Sequence, residues 1–507
     1  MEKVRMKTVR LFTPLVLICA WPFISFANYN AGDVPDFGLV VKYGVIFLFL
    51  MFLVAVVCLL VFRHHPRSRI LNTLVAAVCL FFTFAVIEQF LYEFTGLGRL
   101  RYPLVLWFVV FFSGTVVMWW ASKSRHTTMV LTVAVAVMVL VPTGQLIGKM
   151  VFQEEARSVG GVDAESSRTL DKPNVLFFVF DGYSRADQLA ADLNFDSTPF
   201  INYLRSEGFF VASEGSTNYP MTQLALSAIL EMNYIAPVGK GVLDKFFAYK
   251  SVLRGFNNVV RRFKSHGYRY IHGQPGGWDD TKCGGSEFLC IKGDAPGSFN
   301  NTELALMGLT PMMPLAKKFI PQKLKFSKIQ FPDVVDKLKA VKEAPFFLFS
   351  HLLQPHDVDR REDCTPVSYK FADLFQAFGL TEFGKSAYVE AIKCINKQIL
   401  AGLPDILKKY PDAIIIFIGD HGFALANQFK KSFGKWTKAD RTRRFGVLNA
   451  IRLPKRCRSM LYDAMTSVNT FRVVFACLEG RKPDLLPDQS FFASYFFNDV
   501  EPVLETP

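Results

Sequence analysis

Three segments of this chain end in residues that could share one reaction. Asp181 follows the apolar run Val175–Phe180, His351 follows Pro345–Ser350, and Asp420 and His421 follow Ala413–Ile418 after a single Gly. Carboxylate oxygen and neutral imidazole nitrogen are the donors that divalent zinc or manganese accepts, with magnesium a third candidate for the oxygens. A loop Asp on its own is more often a cap or a turn former. Three separate strand-length segments delivering Asp, His and Asp-His alter that balance, because ligands of open α/β sheets bind beyond the carboxyl ends of the strands. The chemistry expected is that of a bound divalent metal ion.

The elements that would position these residues follow from periodicity. Val175–Phe180 is continuously apolar, as a strand buried on both faces requires. Helical patterns over Pro199–Ser206, Thr222–Met232, Ser251–Ser265, Val334–Val341, Tyr388–Lys409 and Val468–Cys477 alternate with strand runs. The runs are Phe209–Ala212, Tyr268–His272, Pro345–Ser350, Ala413–Ile418 and Phe445–Ile451. This alternation predicts an α/β domain with a largely parallel sheet between helices. Residues 172–507 form that domain, and the polar, Gly- and Ser-containing stretch 149–171 reads as a linker.

Residues 1–148 are different in kind. The mean hydropathy of the 507-residue chain is +0.23, and nearly all its long apolar runs lie here. Five are long enough for a ~30 Å hydrocarbon core at ~20 residues each: Leu11–Asn28, Tyr43–Phe62, Ile70–Phe94, Pro103–Ala121 and Thr127–Gly148. Residues 1–150 carry 13 Lys+Arg against 5 Asp+Glu, a net +8 that leaves +6 of the chain's +14 for the remainder. Lys3, Arg5, Lys7 and Arg10, then Arg63, Arg67 and Arg69, then Lys123 and Arg125 occupy alternate ends of the runs. That alternation predicts a cytosolic N-terminus and a domain from residue 150 onward outside the cytoplasm. The first run, ending in Ser25-Phe26-Ala27, also fits a cleavable signal peptide, and both readings export the domain. Glu88 and Glu93 fall near the outer end of the third run and read as interfacial. The basic balance is topology signal, and no aromatic-interleaved basic stripe points to nucleic acid.

Of nine cysteines, Cys19, Cys58 and Cys79 fall in the apolar runs. Six lie in the exported domain, an even number that suggests disulfides. Cys283 and Cys290, flanking a short loop with Gly284 and Gly285, are the expected pair. Cys364, Cys394, Cys457 and Cys477 allow three pairings.

Over residues 172–455 the chain resembles the alkaline phosphatase/sulfatase superfamily. The matching pieces are Lys172-Pro173-Asn174-Val175 leading to Asp181-Gly182; Ser197-Thr198-Pro199-Phe200 through Leu204 to Glu207-Gly208-Phe209; Asn218-Tyr219-Pro220-Met221-Thr222; His351 through Pro355-His356-Asp357; and Gly419-Asp420-His421-Gly422. Apolar spans ahead of such a domain resemble the membrane-anchored branch, which includes phosphoethanolamine and phosphoglycerol transferases and lipoteichoic acid synthase. The resemblance implies one divalent metal held by Asp181, Thr222, Asp420 and His421, with Thr222 as the nucleophile. It implies substrate contacts from His351, His356 and Arg444. It further implies a membrane phospholipid donor, an envelope glycolipid or polysaccharide acceptor, a phospho-Thr intermediate, and residence in a bacterial-type inner membrane.

The bland reading of Thr222 is a helix N-cap, a role threonine fills well, and Ser227 is the rival hydroxyl. The formylglycine signature C-x-P-x-R is missing at Thr222-Gln223-Leu224-Ala225-Leu226. Cys364-Thr365-Pro366-Val367-Ser368 imitates it but ends in Ser and lies after the His segment. Sulfate-ester hydrolysis is therefore disfavoured. A phosphatase or phosphodiesterase using water is the alternative to transfer, and a non-catalytic membrane scaffold is the third reading.

Overall fold

A computed structural model describes residues 2–29, 37–95, 101–124, 126–158, 172–235, 238–239, 246–276, 279–293, 301–320, 328–358, 360–367, 382–425, 428, 431–493 and 500–503. The chain divides into two compact units, Met1–Gly161 with Ala295–Phe326, and Val162–Asp294 with Ser327–Pro507.

The first unit is helical. Among the described residues, four helices are long and apolar enough to cross a membrane: Leu11–Tyr29, Gly38–Val61, Tyr102–Ala121 and Thr127–Gly148. The third apolar run is divided into helices Arg67–Phe81 and Phe84–Thr95. At the break the Leu80 carbonyl accepts from Thr83 Oγ1 at 2.7 Å and from Trp107 Nε1 at 2.9 Å. The side chains thereby add to the 3.2 Å bond from Thr83 N–H at a carbonyl next to the break, as an apolar surrounding demands. Residues 149–158, read from composition as linker, continue the last helix to Ser158, and 159–171 lie outside the described residues. Leu15, Ile18, Leu71, Val75, Val78 and Val135 form the buried centre of this unit.

Among the described residues, the main sheet of the second unit has seven strands: β1 Val175–Phe180, β2 Phe210–Val211, β3 Arg269–Gly273, β4 Leu289–Ile291, β5 Phe346–Leu352, β6 Ile414–Gly419 and β7 Asn449–Arg452. Their spatial order is β2-β7-β6-β1-β5-β3-β4. Among the described strands of this sheet, β7 alone runs against the others. β1 lies between β5 and β6, parallel to both.

Its side chains alternate across the sheet. Leu176, Phe178 and Phe180 join one core with Phe331, Ile395 and Phe417, while Val175, Phe177 and Val179 join another with Phe263, Phe471 and Phe475. Both faces are covered, which is why β1 has no polar residue.

The amphipathic stretch expected as one helix over Ser251–Ser265 is two, Phe246–Leu253 and Asn258–Ser265. Gly255 turns the chain with φ +96°, and the Asn257 side chain caps the second helix by accepting from Val260 N–H at 2.8 Å. Three disulfides join Cys283–Cys290, Cys364–Cys394 and Cys457–Cys477.

Candidate active site

The parallel pairing of β6, β1 and β5 brings the predicted residues to one edge. Phe180, the last residue of β1, pairs with Leu352 on one side and Gly419 on the other. Asp181 and Asp420 therefore emerge one step beyond aligned strand ends. His351 lies inside β5 rather than after it, opposite Val179. Two glycines make the close approach feasible. Gly182 takes φ +71° and donates its N–H to Asp420 Oδ1 at 2.8 Å. A Cβ on Gly419 would lie 2.2 Å from the Tyr183 carbonyl oxygen.

His421 Nε2 lies 3.4 Å from Asp181 Oδ1 and 3.6 Å from Asp420 Oδ2, and His351 Nε2 lies 3.4 Å from Asp181 Oδ2. The other His421 nitrogen, Nδ1, is 3.0 Å from the Gly422 carbonyl. A carbonyl only accepts, so the ring proton sits on Nδ1 and Nε2 carries a lone pair. Burial, reinforced by the Arg444 guanidinium, pulls the His421 pKa down to about 4, so the imidazole is neutral near pH 7. Burial works to raise the Asp181 pKa, but the imidazoles of His356, His351 and His421 outweigh it and hold the carboxyl below its usual range. A lone pair thus faces two buried carboxylates. Asp181 Oδ1 and Asp420 Oδ2 have no hydrogen-bond partner among the described residues. Buried, unpartnered anionic oxygens are costly unless a cation joins them.

The donor set fits such a cation. Asp181, His356 and His421 offer ligand atoms within 4.8 Å of one another, as do Asp181, His351 and Asp420, so the two groups share Asp181. A third group, Cys283, Glu287 and Cys290, is removed by the disulfide between its cysteines.

Thr222 is the first residue of the helix Thr222–Glu231, and Met221 holds the N-cap position with extended backbone. The Thr222 hydroxyl makes no hydrogen bond among the described residues, so it does not cap this helix. Ser227 is fully buried within the same helix, sealed from any substrate. The guanidinium of buried Arg444 donates from Nε to the Pro220 carbonyl at 2.8 Å and from Nη1 to the Gly422 carbonyl at 2.6 Å. It therefore ties the segment before Thr222 to the segment after His421.

The two candidate histidines differ. His356 is exposed, its ring centroid 5.8 Å from that of His421, and its backbone N–H donates to the Asp181 carbonyl at 2.9 Å. His351 is fully buried and faces Asp181, so its expected substrate contact is not the one its surroundings favour.

A set of residues behind His351 was missed by sequence reasoning. Thr281 Oγ1 lies 2.9 Å from His351 Nδ1, and the Thr281 carbonyl is 2.9 Å from His272 Nε2. Tyr270 Oη is 3.0 Å from His272 Nδ1. The carbonyl fixes the His272 proton on Nε2, so the Tyr270 hydroxyl donates to Nδ1. Nearby, Gln223, adjacent to Thr222, donates to Asp280 Oδ2 at 3.0 Å. No spacing in the chain announces Thr281, because its partner lies 70 residues away.

Two carboxylates and two imidazoles thus gather at the C-terminal side of adjacent parallel strands as a candidate site for a divalent cation. The Sulfatase family matches residues 173–470, more than half of the chain, and the chain belongs to that family. It is a sulfatase-like hydrolase or transferase of sulfate or phosphate esters.

Similar solved structures include the C-terminal periplasmic domain of EcEptC from Escherichia coli in complex with Zn, at 10% identity and TM-score 0.42, covering 66% of this chain and 94% of that one. The integral membrane protein lipooligosaccharide phosphoethanolamine transferase A (EptA) from Neisseria meningitidis is similar at 13% identity and TM-score 0.37, covering 93% and 95%. A phosphonate monoester hydrolase of Agrobacterium radiobacter is similar at 15% identity and TM-score 0.38, covering 63% and 80%. No curated protein matches the chain by sequence.

Proposed function

We propose that this protein is a membrane-anchored, metal-dependent transferase. It moves a phosphoryl-linked head group, of the phosphoethanolamine or phosphoglycerol type, from a membrane phospholipid to an envelope glycolipid or polysaccharide. It resides in the inner membrane of a bacterial-type cell, with residues 172–507 outside the cytoplasm. The observation that carries this reading is the meeting of two buried carboxylates, Asp181 and Asp420, on the neutral His421 Nε2 at 3.4 and 3.6 Å. Asp181, Thr222, Asp420 and His421 would hold one divalent ion, zinc or manganese before magnesium. When bound, such an ion lowers the pKa of a coordinated hydroxyl and neutralises charge on a phosphoryl oxygen.

The chain's own groups account for the rest. Thr222 Oγ1 attacks phosphorus as its proton passes to solvent; the new Oγ1–P bond forms as the bond from phosphorus to the lipid oxygen breaks. The lipid oxygen takes up a proton, which exposed His356 donates. The positive end of the helix that Thr222 opens favours the phosphoryl anion. The acceptor hydroxyl then attacks phosphorus and passes its proton to His356, the P–Oγ1 bond breaks, and Thr222 regains a proton from solvent. Arg444 orients both halves of the site through Pro220 and Gly422.

The test is intact-mass analysis of the full-length protein after incubation with bacterial membrane phospholipids. The wild type should gain one adduct whose mass names the transferred group, and Thr222→Ala should gain none, with turnover lower by several orders of magnitude. Thr222→Ser should retain partial activity. Because Thr222 is not the cap, the Ala variant should lose well under the ~1 kcal/mol of a removed cap. Near-normal turnover in Thr222→Ala would falsify the nucleophile. Turnover to a free head group without an acceptor would make water the acceptor.

A further inference from the structure

Between β4 and the helix Phe331–Ala340 the chain leaves the catalytic unit. Residues Ala295–Phe326 belong to the membrane unit, and the chain re-enters the catalytic unit at Ser327. Two helices are described there, Asn301–Gly308 and Met312–Phe319. The first packs on the ends of the first two spans: Leu306 and Leu309 lie against Phe26, Ala27 and Val40. The Tyr43 hydroxyl is hydrogen-bonded to the Glu303 carboxylate. The first span ends at Tyr29 and the second begins at Gly38, so this contact lies within a few turns of the hydrocarbon boundary.

The second helix has an uncovered apolar face. Met312, Leu315 and Phe319 are 53%, 50% and 68% exposed. Their spacing of three and four puts them on one side of the helix. Ala316 is turned inward and buried. Lys318 is exposed, its Nζ 5.6 Å from the Phe319 ring centroid. The second span, on which the first helix of the pair is seated, presents Val41 and Val45 at 64% and 61% exposure near the same end. Those residues face lipid if the span crosses a bilayer.

We propose that the helix Met312–Phe319 lies in the membrane interface. It inserts Met312, Leu315 and Phe319 into the leaflet at the residue 29–38 end of the spans and sets Lys318 at the head-group phosphates. A short helix with a bulky apolar face and an adjoining cation has the chemistry of an interfacial anchor. The occupant is lipid because the first helix of the pair is seated at the boundary end of apolar spans whose own outward side chains near that end, Val41 and Val45, are apolar and exposed. This inference rests on reading the spans as membrane-crossing and is independent of the chemistry at Thr222.

The experiment uses the full-length protein in vesicles of phosphatidylethanolamine and phosphatidylglycerol doped with a phospholipid bearing a diazirine on its acyl chain. After irradiation, adducts are mapped by peptide mass spectrometry. Adducts are expected on Met312, Leu315 or Phe319 and on Val45 or Phe49 of the second span, with none on exposed Leu400 and Leu485 of the catalytic unit. The double variant L315D/F319D should lose at least five-fold of the label on this helix and keep the label on the span. Label on the span with none on the helix overturns the anchor and leaves the membrane reading standing. Label on neither overturns both. Modification of the helix by a water-soluble diazirine puts the face in water, and protection from both reagents puts it against protein; either result overturns the proposal.

Discussion

Asp420 carries two duties on one carboxylate. Oδ1 accepts the Gly182 N–H at 2.8 Å and holds the turn after β1, while Oδ2 is buried without a hydrogen-bond partner among the described residues. Replacing it by Asn separates them, since the amide oxygen keeps the bond to Gly182 and the charge is lost. In metal-free protein that change removes one of two buried like charges and should leave the melting temperature of Asp420→Asn at or above that of the wild type. With saturating zinc the order should reverse, because the wild type gains binding free energy, about 2.7 kcal/mol at a metal concentration of 100 Kd. Differential scanning calorimetry with and without chelator reads both. A variant several degrees less stable than wild type in the metal-free comparison would show that Oδ2 serves packing and not an ion.

Among the elements, the helix Lys438–Phe445 matters most to the site because its last turn carries Arg444. It begins with a capping box: Thr437 Oγ1 accepts from Asp440 N–H at 3.1 Å, and Asp440 Oδ2 accepts from Thr437 N–H at 3.0 Å. Asp440 also pairs with Arg443 at 3.0 Å, and Arg443 with Asp192 at 2.8 Å. Burial tends to raise the Asp440 pKa, but the bonds from Thr437 and the charges of Lys431 and Arg443 prevail and lower it. A carboxyl whose folded pKa is depressed stabilises above its unfolded pKa, near 3.9, and loses that contribution as pH falls through the folded value. Asp440→Ala should therefore cost about 1 kcal/mol at pH 7, and the gap from wild type in urea melts should shrink below pH ~4. Turnover should fall with it, since fraying of this turn releases Pro220 and Gly422 from Arg444. A gap that widens on acidification would contradict the capping role.

At the scale of the whole molecule, topology decides which compartment the chemistry serves. Basic residues gather at alternate ends of the apolar runs, from Lys3 to Arg125, a pattern that predicts Pro507 outside the cytosol. A reporter that is active only in the cytosol, fused after Pro507, should stay silent, while one that requires export should be active. Strong cytosolic signal would reverse the localisation and leave the six paired cysteines in a reducing compartment.

Much of this molecule can be read along the chain because the relevant physics is local. Continuous burial of a strand writes itself as Val175–Phe180 and Ile414–Ile418, so Asp181 and Asp420 stand out as strand-end residues from the order of residues alone. The start of the helix at Thr222 and the Cys283–Cys290 pair are equally local features. What the tertiary structure decided depends on neighbours distant in sequence. Parallel strands need crossovers, and nothing along the chain states that β1 lies between β5 and β6, so the meeting of Asp181, His351 and His421 appears only after folding. The same holds for the reversed direction of β7, the pairing of Cys364 with Cys394, the Thr281 contact to His351, and the capture of the Leu80 carbonyl by Trp107 where the third apolar run divides. Residues 295–326 show the difference most clearly: their sequence sits between β4 and β5 of the catalytic sheet, yet apolar burial by Leu306 and Leu309 against Phe26, Ala27 and Val40 assigns them to the membrane unit.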